Sequence, residues 1–255
     1  MDLFCRRRTG RFVYVSEERF RKKAAEVSVD YDSFTRASTL IHSLQGGAFL
    51  LLGAAEAYAL KQPGRRTELI GPLGLLLAGV LGFVVILAVP GGWNFSGLAG
   101  ALAARGGFHL FIAFSCLFAA AGLSRLMQHA TPAGGRWQAV FLFFLAAIGA
   151  LYFLLAWRVN EEAWRTVLLP HAAIGGTLLL AVASKVFHSF SGRRALQACW
   201  ALLVLATAVQ LLAYREAPAS FGPHMVTLEA GPLQPQPAPV NIKNAATAVK
   251  KRSGN

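Results

Sequence analysis

Six long apolar runs constrain the fold of this chain more than any other feature of its sequence. A helix crosses the hydrocarbon core of a bilayer in about 20 residues, at a rise of about 1.5 Å per residue. The runs are rich in Leu and Ala rather than alternating in polarity, which favours helices over a β-barrel. The predicted spans are 40–60, 69–89, 107–127, 137–157, 166–187 and 195–213.

The sequence therefore predicts an all-α, polytopic membrane protein, a helical bundle of about six transmembrane helices. Only 15% of its 255 residues are charged and the mean hydropathy is +0.48, values that soluble domains of this size rarely show. The predicted organisation is a basic N-terminal segment (1–39), a transmembrane domain (40–214) and a Pro-rich, basic C-terminal tail (215–255). The sequence carries no phosphate loop, HExxH or Ser-His-Asp pattern, so a non-catalytic protein is expected.

The flanking segments suggest a location and partners. The Arg-rich start is not followed by the apolar core of a secretory signal peptide, and we expect the mitochondrial inner membrane. From Ser16 a short amphipathic helix is predicted, suited to a membrane surface or a partner, and an extended loop then leads into the first span. The composition of the tail is typical of a disordered or partner-bound segment.

The net charge of +13 indicates a preference for lipid headgroups rather than for nucleic acid, because no basic patch on a folded module is visible. We call the face from which the odd-numbered spans enter side A, and the opposite face side B. The loops on side B hold more Lys and Arg than those on side A, which predicts that side B faces the cytoplasm or matrix and that both termini lie on side A. The expected partners are the lipid bilayer and other membrane-protein subunits.

Three histidines open the odd-numbered spans. His42, His109 and His171 lie within the first turns of their spans and recur roughly every 65 residues, which suggests three His-led helical hairpins. All three are therefore expected near side A at a similar depth. The sequence leaves four roles open for them: a metal site, the axial ligands of a b-type haem, a proton relay, or hydrogen bonds to neighbouring helices and headgroups.

Charged residues at the opposite ends of the spans form a second candidate cluster. The same depth argument places Glu56, Arg125, Lys185 and His188 near side B. Charged groups inside a membrane generally face the bundle interior and find partners. The sequence therefore predicts a structural ion pair between Glu56 and Lys185.

The order of these features resembles the eukaryotic transmembrane protein forty-five family, multi-pass proteins of largely undefined function. That family opens with a Gly-His-x-x-Pro-Gly-x-x-Phe-x-x-x-Gly helix, and the run Ile41–Gly53 keeps its histidine, its last two glycines and its phenylalanine. His109 opens a later span as in the family, and the aromatic run 151–153 followed by His171 is similar to a later family helix.

The chain also departs from that family. The family usually has seven spans, and at its aromatic helix it carries a glutamate and a histidine where this chain has Ala147 and Leu154. The expected function is an accessory or structural subunit of a larger membrane assembly, such as a respiratory complex. The alternative is a b-type haem or metal-binding membrane protein that transfers electrons through His42, His109 and His171.

Overall fold

Helices make up nearly all of the described chain. The structure is a computed structural model that describes residues 7–8, 11–12, 31–62, 67–104, 106–131, 135–155 and 164–216. Its α-helices there are α1 (Tyr31–Ala59), α2 (Ile70–Ala88), α3 (Phe95–Ala104), α4 (His109–Ala130), α5 (Gly135–Leu155), α6 (Trp164–Ser191) and α7 (Arg194–Ala213). Short 3-10 turns, Thr67–Leu69 and Gly106–Phe108, lead into α2 and α4. Two-residue strands β1 (Arg7–Arg8) and β2 (Arg11–Phe12) pair antiparallel.

The predicted helical membrane bundle is confirmed. Among the described residues, five helices are long and apolar enough to cross a membrane: Thr67–Ala88, Gly106–Ala130, Arg136–Leu155, Arg165–Ser191 and Arg194–Ala213. They correspond to the last five predicted spans. All but the last residue of the first predicted span lies in α1, which is 29 residues long but is not one of the five. Its polar residues His42, Gln45 and Glu56 lower its hydropathy, and all three are buried inside the bundle.

The long helices close into a ring. In chain order α1 packs on α2, α2 on α4, α4 on α5, α5 on α6 and α6 on α7, and α7 packs back on α1. The three predicted hairpins are therefore neighbouring pairs, but α2–α4 and α5–α6 pack as well and join them into one body. All of these helices belong to one compact unit, Met1–Gly222, and the second unit, Pro223–Asn255, lies outside the described residues.

The first helix begins earlier than the sequence predicts. α1 starts at Tyr31, so residues 31–39 are helical where the sequence predicts an extended loop, and that prediction is wrong for these residues. Phe34, Ala37 and Ile41 form a buried stripe at helical spacing, and the Phe34 ring lies 4.6 Å from that of Phe108. Packing of this stripe extends the helix beyond the apolar run. The predicted amphipathic helix and the tail beyond residue 216 lie outside the described residues.

Glycines let several helices approach backbone to backbone. A Cβ added at Gly79 of α2 would lie 2.5 Å from the backbone of Ser115 and Ala119 on α4. A Cβ added at Gly122 of α4 would lie 2.5 Å from the backbone nitrogen of Leu76 on α2. Small residues at such crossings are typical of helix packing in membranes, where dispersion rather than the hydrophobic effect drives association.

Candidate functional site

Two of the three predicted histidines meet inside the bundle near side A. The ring centroids of His42 on α1 and His171 on α6 lie 5.5 Å apart, with an interplanar angle of 72°. Their exposed fractions are 1% and 0%. In the ring of helices, α7 lies between α1 and α6. The two imidazoles therefore meet in the interior of the bundle rather than at a contact between neighbouring helices.

Each histidine of this pair is oriented by its own helix. His42 Nδ1 lies 2.7 Å from the Ser38 carbonyl oxygen, and His171 Nδ1 lies 2.8 Å from the Val167 carbonyl oxygen. A ring nitrogen this close to a carbonyl donates its hydrogen, so Nδ1 carries the proton and Nε2 keeps a lone pair. Both Nε2 atoms are buried and have no hydrogen-bond partner among the described residues. The pair therefore presents two unused acceptors inside the membrane domain.

The segment that follows α7 covers the histidine pair. The Tyr214 ring centroid lies 4.8 Å from that of His42 and 4.7 Å from that of His171. The Tyr214 hydroxyl donates to Glu216 Oε1 at 3.0 Å, and Ser38 Oγ donates to Glu216 Oε2 at 2.6 Å. Burial, together with the neighbouring Glu216 carboxylate, raises the pKa of Tyr214 above its ordinary value, so the phenol stays protonated and keeps donating.

Sequence reasoning did not find these covering residues. Ser38 could have been predicted from the sequence, because it lies four residues before His42 and therefore on the same face of a helix. Tyr214 and Glu216 follow the last apolar run, where no pattern marks them as partners of residues about 175 positions earlier.

One turn further into the membrane, a second polar contact sits beside the pair. Tyr152 of α5 donates to Gln45 Oε1 at 2.8 Å, and both side chains are buried. The Tyr152 ring centroid lies 6.1 Å from that of His171. Toward side B the aromatic rings of Phe49 and Phe118 follow, 5.1 Å apart. The polar site is thus bounded by aromatic side chains on the side facing the bilayer centre.

The third predicted histidine is not part of the site. His109 is exposed at the start of α4, and its Nδ1 donates to the Gly106 carbonyl at 2.9 Å. It is the first residue of its helix, whereas His42 and His171 are the twelfth and eighth residues of theirs. Within the described ranges no three His, Cys, Asp or Glu side chains are grouped to hold a metal ion.

The serine beside His42 does not form a catalytic pair with it. Ser38 Oγ lies 3.3 Å from His42 Nδ1, but that nitrogen donates to the Ser38 carbonyl. The hydroxyl itself donates to Glu216. A nucleophilic serine needs an imidazole nitrogen that can accept its proton, and this nitrogen cannot.

The predicted ion pair lies at side B as part of a larger network. Lys185 Nζ lies 3.3 Å from Glu56 Oε2, and Arg125 Nη2 lies 2.8 Å from Glu56 Oε1. Gln197 Nε2 donates to Glu56 Oε2 at 2.7 Å, and Lys185 Nζ donates to Gln197 Oε1 at 2.6 Å. Four helices, α1, α4, α6 and α7, thus converge on one carboxylate. His188 of the same predicted group is half-buried and donates to the Arg193 carbonyl instead.

This network continues into the neighbouring helix. Arg125 Nη1 donates to Gln128 Oε1 at 2.5 Å, and Gln128 Nε2 lies 3.4 Å from Gln138 Oε1 on α5. Gln138 Nε2 in turn donates to Ser189 Oγ of α6 at 2.8 Å. Since each of these charged and amide groups has a partner, the network serves to hold the helices together rather than to react.

No protein-family model matches this chain, and comparison with curated proteins and with solved structures gives no match. The resemblance to the transmembrane protein forty-five family therefore stays a prediction.

Proposed function

We propose that this multi-pass membrane protein binds a transition-metal ion between the Nε2 atoms of His42 and His171. The observation that supports the proposal is the pair of buried Nε2 atoms without partners, on rings 5.5 Å apart. Metal-ligating histidines generally donate the other ring N–H to a carbonyl or carboxylate, as both of these do. A buried acceptor left unpaired costs roughly 1–3 kcal/mol. Coordination of an ion would remove that cost at both nitrogens.

The spacing of the two rings is compatible with one shared ion. A metal–imidazole bond is about 2.0–2.1 Å long, so the centroids of two rings on one ion lie at most roughly 6 Å apart. The observed 5.5 Å lies within that limit. Two neutral imidazoles with one nearby carboxylate, Glu216, favour a monovalent ion over a divalent one, because less charge is taken into the membrane interior. Cu(I) meets these conditions, since it binds imidazole and accepts two ligands.

A b-type haem does not fit the same two ligands. A macrocycle held axially would have to lie between the two rings. The Tyr214 ring is in contact with both of them, at 4.8 and 4.7 Å, and the rings themselves are 5.5 Å apart. We therefore do not propose haem-based electron transfer for this pair.

Two further expectations stay predictions. An accessory role in a larger membrane assembly rests on the N-terminal segment and the tail, most of which lies outside the described residues. The location in the mitochondrial inner membrane rests on composition alone. A metal site inside the bundle is compatible with both.

The proposal is tested by copper binding to the purified protein. Wild-type protein in mild detergent is titrated with Cu(I) in competition with bicinchoninate, and we expect one ion bound per chain. His42→Asn and His171→Asn should each weaken binding at least tenfold, whereas His109→Asn, at the exposed histidine, should bind as the wild type does. Equal binding by wild type and by the double variant His42→Asn/His171→Asn would contradict the proposal.

A second measurement does not depend on any variant being folded. X-ray absorption of copper-loaded wild-type protein should show nitrogen neighbours at about 2 Å with the outer scattering of imidazole. Sulfur neighbours would instead place the ion at cysteines and overturn the assignment. A sharp haem band in a reduced-minus-oxidised visible spectrum of the same preparation would also contradict it.

A further inference from the structure

An open groove runs between α5 and α6 on the outer face of the ring. Its volume of about 510 Å³ falls in the range of ligand-binding sites, about 300–1,000 Å³. Two aromatic side chains on its walls are exposed: Phe143 by 66% and Phe190 by 85%. The groove is therefore open to the lipid that surrounds the transmembrane helices.

The groove is polar at one end and apolar along the rest. Gln138 and Ser189, which hydrogen-bond to each other at 2.8 Å, line the end at side B. From Gln138 to Ala146 the groove follows α5 for eight residues, about 12 Å of helix. The side chains beyond the polar end are Ala, Leu, Phe and Val. This polarity matches a phospholipid lying with its headgroup at side B and an acyl chain toward the bilayer centre.

Two arginines lie close in sequence to the polar end of the groove. Arg136 lies two residues before Gln138, Arg193 follows the end of α6, and both are exposed. The acidic residues that the structure describes at side B are engaged elsewhere: Glu56 in the buried network, and Glu68 at 3.6 Å from His129. Arginines near the headgroup level attract anionic lipids by roughly 1 kcal/mol each.

We propose that the α5–α6 groove binds an anionic phospholipid, with one acyl chain along Phe143 and Val186 and the phosphate beside Arg136 and Arg193. The site is independent of the histidine pair. Gln138 at its polar end is also the residue through which the network around Glu56 reaches α5.

The test compares an anionic with a zwitterionic lipid on delipidated protein in detergent. Phosphatidylglycerol and phosphatidylcholine with identical chains are added, and lipid adducts are counted by native mass spectrometry while thermal unfolding is followed in parallel. We expect a retained phosphatidylglycerol and a rise in Tm of several degrees, with little effect of phosphatidylcholine. Equal retention and equal stabilisation by the two lipids would overturn the charge-selective site.

Two kinds of variant locate the lipid. Ala146→Phe fills the groove and should abolish the preference for phosphatidylglycerol, whereas Ala206→Phe, at an exposed position of α7 outside the groove, should keep it. Arg136→Gln/Arg193→Gln leaves the groove open and should reduce the preference at least several-fold. Unchanged preference in both the Ala146 and the arginine variants would place the lipid elsewhere.

Discussion

At the scale of single residues, the two buried polar clusters differ in how far their hydrogen bonds are satisfied. Glu56 accepts hydrogen bonds from Arg125, Lys185 and Gln197, so each of its two oxygens has at least one partner. His42 and His171 each keep one buried nitrogen without a partner. Buried polar atoms in native proteins nearly always find a partner, so the two unpaired nitrogens on neighbouring rings support the proposed ligand, whereas the closed network around Glu56 has a structural role.

The Glu56 network predicts an order of stability effects. Two cations face one carboxylate, so Glu56→Gln leaves two like charges buried and should cost about 3–5 kcal/mol. Lys185→Gln leaves the Arg125–Glu56 pair intact and should cost clearly less. Thermal unfolding in detergent measures both, and Glu68→Gln, at a half-exposed carboxyl, is the matched control with a change within about 1 kcal/mol. An equal loss of stability in the Glu56 and Lys185 variants would show that two unneutralised cations do not destabilise the bundle.

The covering tyrosine predicts a pH dependence. The pKa of Tyr214 in the folded protein lies above its ordinary value of 10.0, mainly through burial. Above pH 10 the unfolded chain therefore loses a proton that the folded chain keeps, so stability falls as pH rises. The wild type should lose Tm more steeply than Tyr214→Phe between about pH 10 and 11. Parallel curves for the two proteins would contradict the raised pKa.

At the scale of helices, glycines decide which elements can touch. In each of the pairs Gly46–Gly47 and Gly175–Gly176, the first glycine lies against a neighbouring helix and the second has nothing within 4 Å of an added Cβ. A Cβ added at Gly175 would lie 2.6 Å from the carbonyl oxygen of Gly149 on α5. The sequence predicts close helix contacts at both pairs, and the structure shows which member of each makes the contact.

Alanine substitutions at glycines should therefore have opposite signs. Gly122→Ala would place a Cβ 2.5 Å from the Leu76 backbone nitrogen, which cannot rotate away, so α2 and α4 must separate and the Tm should fall. Gly176→Ala meets open space and should be neutral or stabilising by up to about 1 kcal/mol, because alanine favours the helix. Thermal unfolding of the two variants in one detergent tests this. A destabilising Gly176→Ala would indicate a neighbour on that face.

At the scale of the whole molecule, α1 crosses the bundle from end to end. Ser38, near its start, bonds to Glu216 at side A, and Glu56, near its end, bonds to Arg125 and Lys185 at side B. Hydropathy does not place α1 among the spans because its polar residues lower the mean, but those residues are buried in the bundle and do not contact lipid. From its place in the ring we expect α1 to be a sixth crossing helix, and α3, with 10 residues, is too short to be one.

Six crossings predict the topology. Accessibility reporters placed before α1 and after residue 216 should lie on one side of the membrane, and reporters in the α1–α2 and α6–α7 loops on the other. The excess of Lys and Arg in the side-B loops predicts that these loops face the cytoplasm or matrix. A reporter before α1 on the same side as the α1–α2 loop would show that α1 does not cross. Loops facing the opposite compartment would contradict the charge argument alone.

The sequence by itself determined the class of fold and the depth of each polar residue. Apolar runs must be helical in lipid, and a rise of about 1.5 Å per residue sets how far along the bundle a side chain lies. That reasoning placed Glu56 and Lys185 at one end and His42 and His171 at the other, as the structure has them.

Only the tertiary structure decided which residues at one depth face each other. Side-chain packing decides how each helix is rotated about its axis and in which order the helices follow one another in the ring. Composition does not determine that packing. Packing brought Tyr214 and Glu216 over the histidine pair, added Arg125 to Glu56 and left His109 at the surface. It also extended α1 back to Tyr31, because contacts with other helices, rather than hydropathy, hold its first turns.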